Sequence, residues 1–120
     1  MIELIFVIVV LGILASIAIP KFAATREDAQ IAAGRATVAA VRSGIVSERQ
    51  RRLLQGNTSY ISSLGDNFAD ILTYPAKKWS RSGNTYTYTV GQASCAFVYD
   101  STNGTFTGSG LTGDCAKLDF

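Results

Sequence analysis

Few side chains in this sequence could carry out chemistry. The chain contains no histidine, so Ser–His and Cys–His catalytic arrangements are excluded. Several aspartates stand in turn-like sequence, where they are predicted to be solvated loop residues: Asp66, Asp70, Asp100, Asp114 and Asp119. A calcium site built from Asp66, Asn67 and Asp70 is a less favoured alternative. The sequence therefore predicts a protein that is not an enzyme, with no cofactor and no metal.

The two cysteines, Cys95 and Cys115, are the remaining reactive pair. They enclose a segment rich in Gly, Thr and Ser. Two cysteines in a chain that begins with an export-type apolar segment indicate a disulfide formed in an oxidising compartment. Buried free thiols are the alternative. A metal site is disfavoured, because the chain has neither histidine nor a second pair of cysteines.

A lone carboxylate, Glu3, is the only charge within residues 1–20, and Lys21 ends the apolar stretch. About 20 apolar residues in a helix span a hydrocarbon core of about 30 Å, so this stretch predicts a transmembrane helix. A buried core helix is disfavoured because the stretch is apolar on all sides. A cleaved secretory signal is disfavoured because such a signal carries positive charge ahead of its apolar part.

Two interpretations of Glu3 stay open at this point. It is either an end residue that reaches the interface and favours the positive end of the helix dipole, or a group that pairs with a positive partner on another subunit. The segment from Gly12 to Pro20 is predicted to bend or unwind, since Gly weakens a helix and Pro removes a hydrogen bond. A simple kink in a continuous helix is the alternative.

Residues 22–55 predict an amphipathic helix, and Gly56-Asn57 predicts its end. Its apolar stripe comprises Ile31, Val38, Val41 and Ile45. Joined to the apolar segment, the helix has about 55 residues and a length of roughly 80 Å, so much of it must project from the rest of the chain. We therefore predict two parts: residues 1–55 form the N-terminal helix, divided at residue 20, and residues 56–120 form a β-rich head.

A second stripe on the same helix is basic. Arg35, Arg42 and Arg49 repeat every seven residues. A solvated face is one interpretation, and a row that pairs with acidic groups of neighbouring copies is the other.

The head is predicted to be a small antiparallel meander of three or four strands. Strands are predicted over residues 85–90, 95–100 and 105–108, with a further strand at Trp79 and one helical turn near Phe68. The fold class is therefore α+β, with the helical stripe covering one face of the sheet. The net charge of +2 is too small to imply nucleic-acid binding, although Lys77, Lys78 and Arg81 beside Trp79 form a small basic-aromatic cluster.

The stretch "MIELIFVIVVLGILASIAIPKF" resembles the N-terminal region of mature type IV pilins, with their glutamate, apolar run, glycine, proline and following basic residue. The resemblance implies a ladle-like fold with a C-terminal disulfide loop. It also implies that Glu3 neutralises the N-terminal amine of an adjacent subunit. Subunit assembly is expected to depend on Glu3, Phe6, Gly12 and Pro20. Mature pilins normally carry two more residues before the position of Met1, so residues ahead of Met1 are expected.

The function implied by this resemblance is that of the major structural subunit of an extracellular type IV pilus, serving adhesion or surface motility. The expected partners are copies of the chain itself, the inner membrane before assembly, the prepilin peptidase that cleaves and methylates the subunit, and the pilus assembly machinery. A host surface or DNA are further candidates. The alternatives are a pseudopilin of a type II secretion system and a DNA-uptake pilus subunit. The cysteine pair favours the pilus.

Overall fold

The computed structural model describes residues 1–17 and 25–120; the side chains of residues 18–24, inside the first helix, are outside that description. The chain begins with one long helix, α1 (Ile2–Leu54), and continues into four strands: β1 (Trp79–Ser82), β2 (Thr85–Val90), β3 (Ala93–Asp100) and β4 (Thr105–Gly108). Short 3-10 segments lie at Asp66–Phe68 and Gly113–Leu118. The molecule measures 81 × 28 × 22 Å, and a helix of this length by itself spans about 80 Å.

The end of α1 is fixed by a glycine in the left-handed region. Gly56 has φ 82°, which a residue without Cβ adopts at little cost. Its N–H donates to the Leu53 carbonyl at 3.0 Å, and the Asn57 N–H donates to the Arg52 carbonyl at 2.9 Å. These two bonds form a Schellman motif, which satisfies carbonyls that the last turn would otherwise leave unpaired.

The four strands form an antiparallel meander in the order β1-β2-β3-β4, so the predicted α+β class is confirmed. Alternation along the strands sends one set of side chains inward. Cross-strand neighbours in this set include Tyr86 opposite Phe97 and Tyr88 opposite Cys95, with Tyr99 opposite Phe106. The inward face is therefore largely aromatic, and Phe68 from the 3-10 segment stacks on Tyr86 with ring centroids 4.5 Å apart.

The second half of α1 covers this face. Ile31, Val38, Val41 and Ile45 are buried in the core together with the aromatic side chains. Gly34 lies in the same stripe, where a Cβ would come within 2.7 Å of Leu118 and 2.8 Å of Tyr88. The close approach of helix and sheet therefore requires a residue without a side chain at this position.

The hydroxyls of three core tyrosines each donate a hydrogen bond to a main-chain carbonyl. Tyr88 donates to Gln30 of α1 at 2.8 Å, Tyr86 donates to Gly65 at 3.1 Å, and Tyr99 donates to Ile61 at 2.7 Å. A buried hydroxyl without a partner is costly. These bonds therefore fix the sheet against the helix and against the loop that follows it.

The predicted disulfide between Cys95 and Cys115 is present. Cys95 lies in β3 and Cys115 in the C-terminal 3-10 helix, and both are buried. The same 3-10 helix places Leu118 in the core beside Gly34. The bridge thus holds the C-terminal segment between sheet and helix. No local pattern of residues indicated that this segment would be helical.

Replacing both cysteines by serine is expected to lower the unfolding free energy by about 3 kcal/mol, because the open chain gains the entropy of a loop of about 20 residues. Denaturant unfolding followed by Trp79 fluorescence measures this loss. The same experiment on the wild-type chain in reductant provides the control.

In the wild-type chain, thiol reagents are expected to label neither cysteine until denaturant and reductant are both added. Prompt labelling of the native chain would contradict the bridge.

Candidate assembly surface

The N-terminal segment of α1, residues 1–17, is the candidate functional surface. Every residue in it is exposed, and the exposed fractions of its large apolar side chains range from 38% at Val10 to 95% at Met1. The first residue of α1 in the described part of the chain to be partly covered by the head is Gln30. Soluble monomers rarely expose a continuous apolar surface of more than a few hundred Å². This surface therefore requires a covering that the chain's own head does not supply.

Glu3 lies in the first turn of α1, where its carboxylate favours the positive end of the helix dipole. Within the described residues, no ion pair of the chain involves Glu3. This position agrees with the first interpretation of Glu3, and both interpretations stay predictions.

Phe6 and Gly12 belong to the same exposed surface. The Phe6 side chain is 69% exposed, and a Cβ placed on Gly12 would meet nothing within 4 Å. Among the residues that the structure describes, no contact therefore requires a glycine at position 12, in contrast to Gly34, which the packing of the head requires. Glycine in the middle of a helix costs about 1 kcal/mol relative to alanine.

Pro20, the fourth residue expected to serve assembly, lies outside the described residues. The expected unwinding between Gly12 and Pro20 can be compared with the structure only up to Ile17, and there the chain is helical. The Ser16 hydroxyl bonds back to its own helix, donating to the Ile13 carbonyl at 2.7 Å.

The predicted transmembrane helix over residues 1–20 is not supported. In residues 1–17 and 25–120, no helical segment has both the length and the hydropathy that a membrane crossing requires.

The basic stripe of α1 makes contacts within the chain: Arg42 and Arg49 are half-buried, whereas Arg35 is exposed. Arg42 donates from Nε to the Phe106 carbonyl at 3.0 Å, from Nη1 to the Phe120 carbonyl at 2.8 Å, and forms an ion pair with Asp119. Asp119 in turn accepts from the Gly108 N–H at 3.2 Å. Because β4 is an edge strand, these bonds occupy main-chain groups that an incoming strand would use.

The other two arginines of the stripe also bind within the chain. The guanidinium of Arg35 lies 4.8 Å from the centroid of the Phe120 ring, and that of Arg49 lies 4.1 Å from the centroid of Tyr60. Arg49 also donates to the Thr58 carbonyl. The stripe therefore fastens the C-terminal residues and the loop after α1 to the helix. Sequence spacing identified the stripe, but the partners are distant in sequence and no local pattern pointed to them.

The basic-aromatic cluster predicted around Trp79 does not form an exposed site. Lys77 and Lys78 are exposed, but Trp79 is only 4% exposed and packs in the core. Arg81 is engaged by Asp66, with Nη1 and Oδ1 3.0 Å apart. A buried ring offers no face on which a base could stack, so only the basic side chains of this cluster are exposed to a partner.

The structure does not arrange Asp66, Asn67 and Asp70 as a calcium site. Asp66 pairs with Arg81, and the described residues contain no cluster of acidic, cysteine or histidine side chains that could hold a metal ion. Asn67 adopts φ 54°. The orientation of the Asn67 amide that satisfies its hydrogen bonds directs its nitrogen to two main-chain carbonyls. In that orientation the nitrogen donates to Trp79 at 3.1 Å and to Ala76 at 3.2 Å.

The ion pair between Arg42 and Asp119 predicts acid sensitivity of the head. Hydrogen bonding from Arg42, assisted by the Gly108 N–H, lowers the pKa of Asp119. A carboxylate with a lowered folded-state pKa contributes stability above its unfolded pKa, about 3.9. That contribution is lost as the pH falls through the lower, folded-state value.

The Asp119→Asn variant is therefore expected to show a shallower loss of unfolding free energy below about pH 4 than the wild-type chain. The difference at neutral pH should be at most about 1 kcal/mol, because the pair is partly exposed. Denaturant unfolding at a series of pH values measures this, with Asp114→Asn as a control in a more exposed ion pair. Equal slopes for Asp119→Asn and the wild type would contradict the assignment.

Comparisons of the chain with models of protein families, with curated protein sequences and with solved structures find no match. The function is therefore inferred from the residues and their geometry.

Proposed function

We propose that this chain is a structural subunit of an extracellular filament of the type IV pilus kind, in which the apolar N-terminal helices of many copies enclose one another. The observation that carries the proposal is the exposure of residues 1–17. The resemblance of the N-terminal stretch to pilins supports it, as does the arrangement of a long helix on an antiparallel sheet with a C-terminal disulfide.

The driving force for assembly is the burial of the apolar surface. Fully burying a side chain such as Leu, Ile, Val or Phe contributes about 1.5 to 3 kcal/mol. The head cannot provide this burial, because its sheet already packs on the helical stripe from Ile31 to Ile45. A second copy can, since its own helix carries the same apolar surface. Repeating such a head-to-tail contact without closure produces an open helical polymer.

Glu3 supplies specificity in this proposal. A carboxylate enclosed in an apolar bundle is strongly destabilising when unpaired, and it fixes the relative position of the helices when paired. The positive partner is the N-terminal amine of an adjacent subunit. Gly12 and Phe6 lie on the surface that would contact neighbouring helices, and Gly12 allows close approach without disturbing any contact inside the chain.

The heads form the outer shell of the proposed filament. The expected localisation is the bacterial surface after assembly and the inner membrane before it. The major-subunit role, adhesion or surface motility as its use, and processing by a prepilin peptidase are part of the same proposal.

Replacing Glu3 by alanine is expected to reduce the yield of surface filaments at least tenfold. The change leaves the partner charge unpaired inside the bundle, at a cost of about 3 to 5 kcal/mol, and each 1.4 kcal/mol corresponds to a factor of about ten. Electron microscopy and immunoblotting of material sheared from cells measure the yield. Unfolding of the head should not change.

Glu27→Ala provides the matched control. It removes the same charge from the same helix, at an exposed position beyond the apolar segment, and should leave the filament yield near that of the wild type. A normal yield from Glu3→Ala, or an equal loss from both variants, would remove the pairing role of Glu3.

A further inference from the structure

The loop that follows α1 contains the sequence Asn57-Thr58-Ser59, and the turn before β4 contains Asn103-Gly104-Thr105. Both match the acceptor motif for N-linked glycosylation, Asn-X-Ser/Thr with X other than proline. The motif is short and often occurs by chance. Whether either asparagine is a real acceptor therefore depends on its surroundings.

The compartment suits this modification. The disulfide between Cys95 and Cys115 indicates that the head folds in an oxidising environment, and N-linked glycans occur on proteins of such compartments. Asn57, Thr58 and Ser59 are all exposed. The motif also lies just beyond Leu54, the last residue of α1, and so about 80 Å along the helix from its apolar start.

Hydrogen bonds hold the three residues of the Asn57 motif in one arrangement at the surface. The Asn57 N–H is held by the Arg52 carbonyl at 2.9 Å, which fixes the backbone at the helix end. Its side-chain Oδ1 accepts from the Ser59 N–H at 3.0 Å and from the Ser59 hydroxyl at 2.7 Å. A hydroxyl that donates to the amide oxygen draws electron density from Nδ2 and eases the loss of its proton. The bond from Arg49 to the Thr58 carbonyl anchors the middle residue.

The second motif has the same internal bonds but a different setting. Asn103 Oδ1 accepts from the Thr105 N–H at 3.1 Å and from the Thr105 hydroxyl at 2.7 Å. Thr105, however, is paired with Asp100 in the sheet, and Gly104 packs against the Tyr60 ring so closely that a Cβ would overlap it. Asp100, the residue paired with Thr105, accepts from the Thr102 N–H at 2.9 Å and from the Thr102 hydroxyl at 2.5 Å.

We propose that Asn57 is the site of an N-linked glycan and that Asn103 is not. In the reaction, Nδ2 of Asn57 attacks the anomeric carbon of a glycan attached to a diphosphate carrier. A carbon–nitrogen bond forms, the bond from that carbon to the phosphate oxygen breaks, and the diphosphate leaves with the electron pair. The amide proton passes to a base of the transferase. The proposal does not depend on filament assembly, because it rests on the motif, its exposure and the disulfide.

Mass spectrometry of the full-length chain, purified from the cells that produce it, tests this assignment. Trypsin separates the motifs, since residues 53–77 contain Asn57 and residues 82–117 contain Asn103. We expect a glycan mass on the first peptide, localised to Asn57 by fragmentation, and the unmodified mass for the second. An unmodified first peptide, or a glycan on Asn103 instead, would overturn the proposal.

Matched variants separate this site from an O-linked modification nearby. Asn57→Gln and Ser59→Ala should each abolish the added mass, whereas Ser59→Thr and Asn103→Gln should retain it. Persistence of the mass in Asn57→Gln, or its loss in Ser59→Thr, would contradict N-linkage at this motif. Denaturant unfolding of each variant checks that the head is folded, which is expected because Asn57 and Ser59 are exposed.

Discussion

The architecture of this protein depends on a difference in size: α1 is much longer than the sheet of the head can cover. The sheet offers one apolar face, and the part of α1 from Ile31 to Ile45 covers it. The apolar residues 1–17 are then exposed, and no part of the chain that the structure describes covers them. Burial of apolar surface is the dominant favourable term in folding and association. A surface of this kind therefore directs the chain toward a partner, and the proposed partner is another copy of itself.

Three sets of contacts hold the elements of the head together. Tyrosine hydroxyls bond the sheet to main-chain carbonyls of the helix and the following loop. The disulfide holds the C-terminal segment, and Arg42 with Asp119 occupies main-chain groups of the β4 edge. Exposed strand edges invite pairing with other chains. Engaging this edge disfavours pairing of β4 with another chain, which agrees with the proposal that copies associate through the helix.

The elements predicted correctly were those with local signals. Alternation of Thr and Tyr located β2, the Asn-Gly pair located the turn before β4, and cysteine composition indicated the disulfide. The seven-residue spacing of the stripe identified residues that are buried in the structure. The partners of the arginine stripe, the burial of Trp79 and the C-terminal 3-10 helix were not predicted, because each depends on contacts between residues far apart in sequence. The membrane-spanning prediction was not supported, and the assembly roles of Glu3 and Pro20 stay predictions, since a single chain does not test them.

Sedimentation of the purified full-length chain in detergent-free buffer, followed by electron microscopy of the fractions, tests the central claim most directly. Burial of residues 1–17 between copies predicts large assemblies with a fibrous appearance and folded heads. A stable, folded monomer of 12.8 kDa under these conditions would show that the apolar helix needs no partner, and would contradict the account.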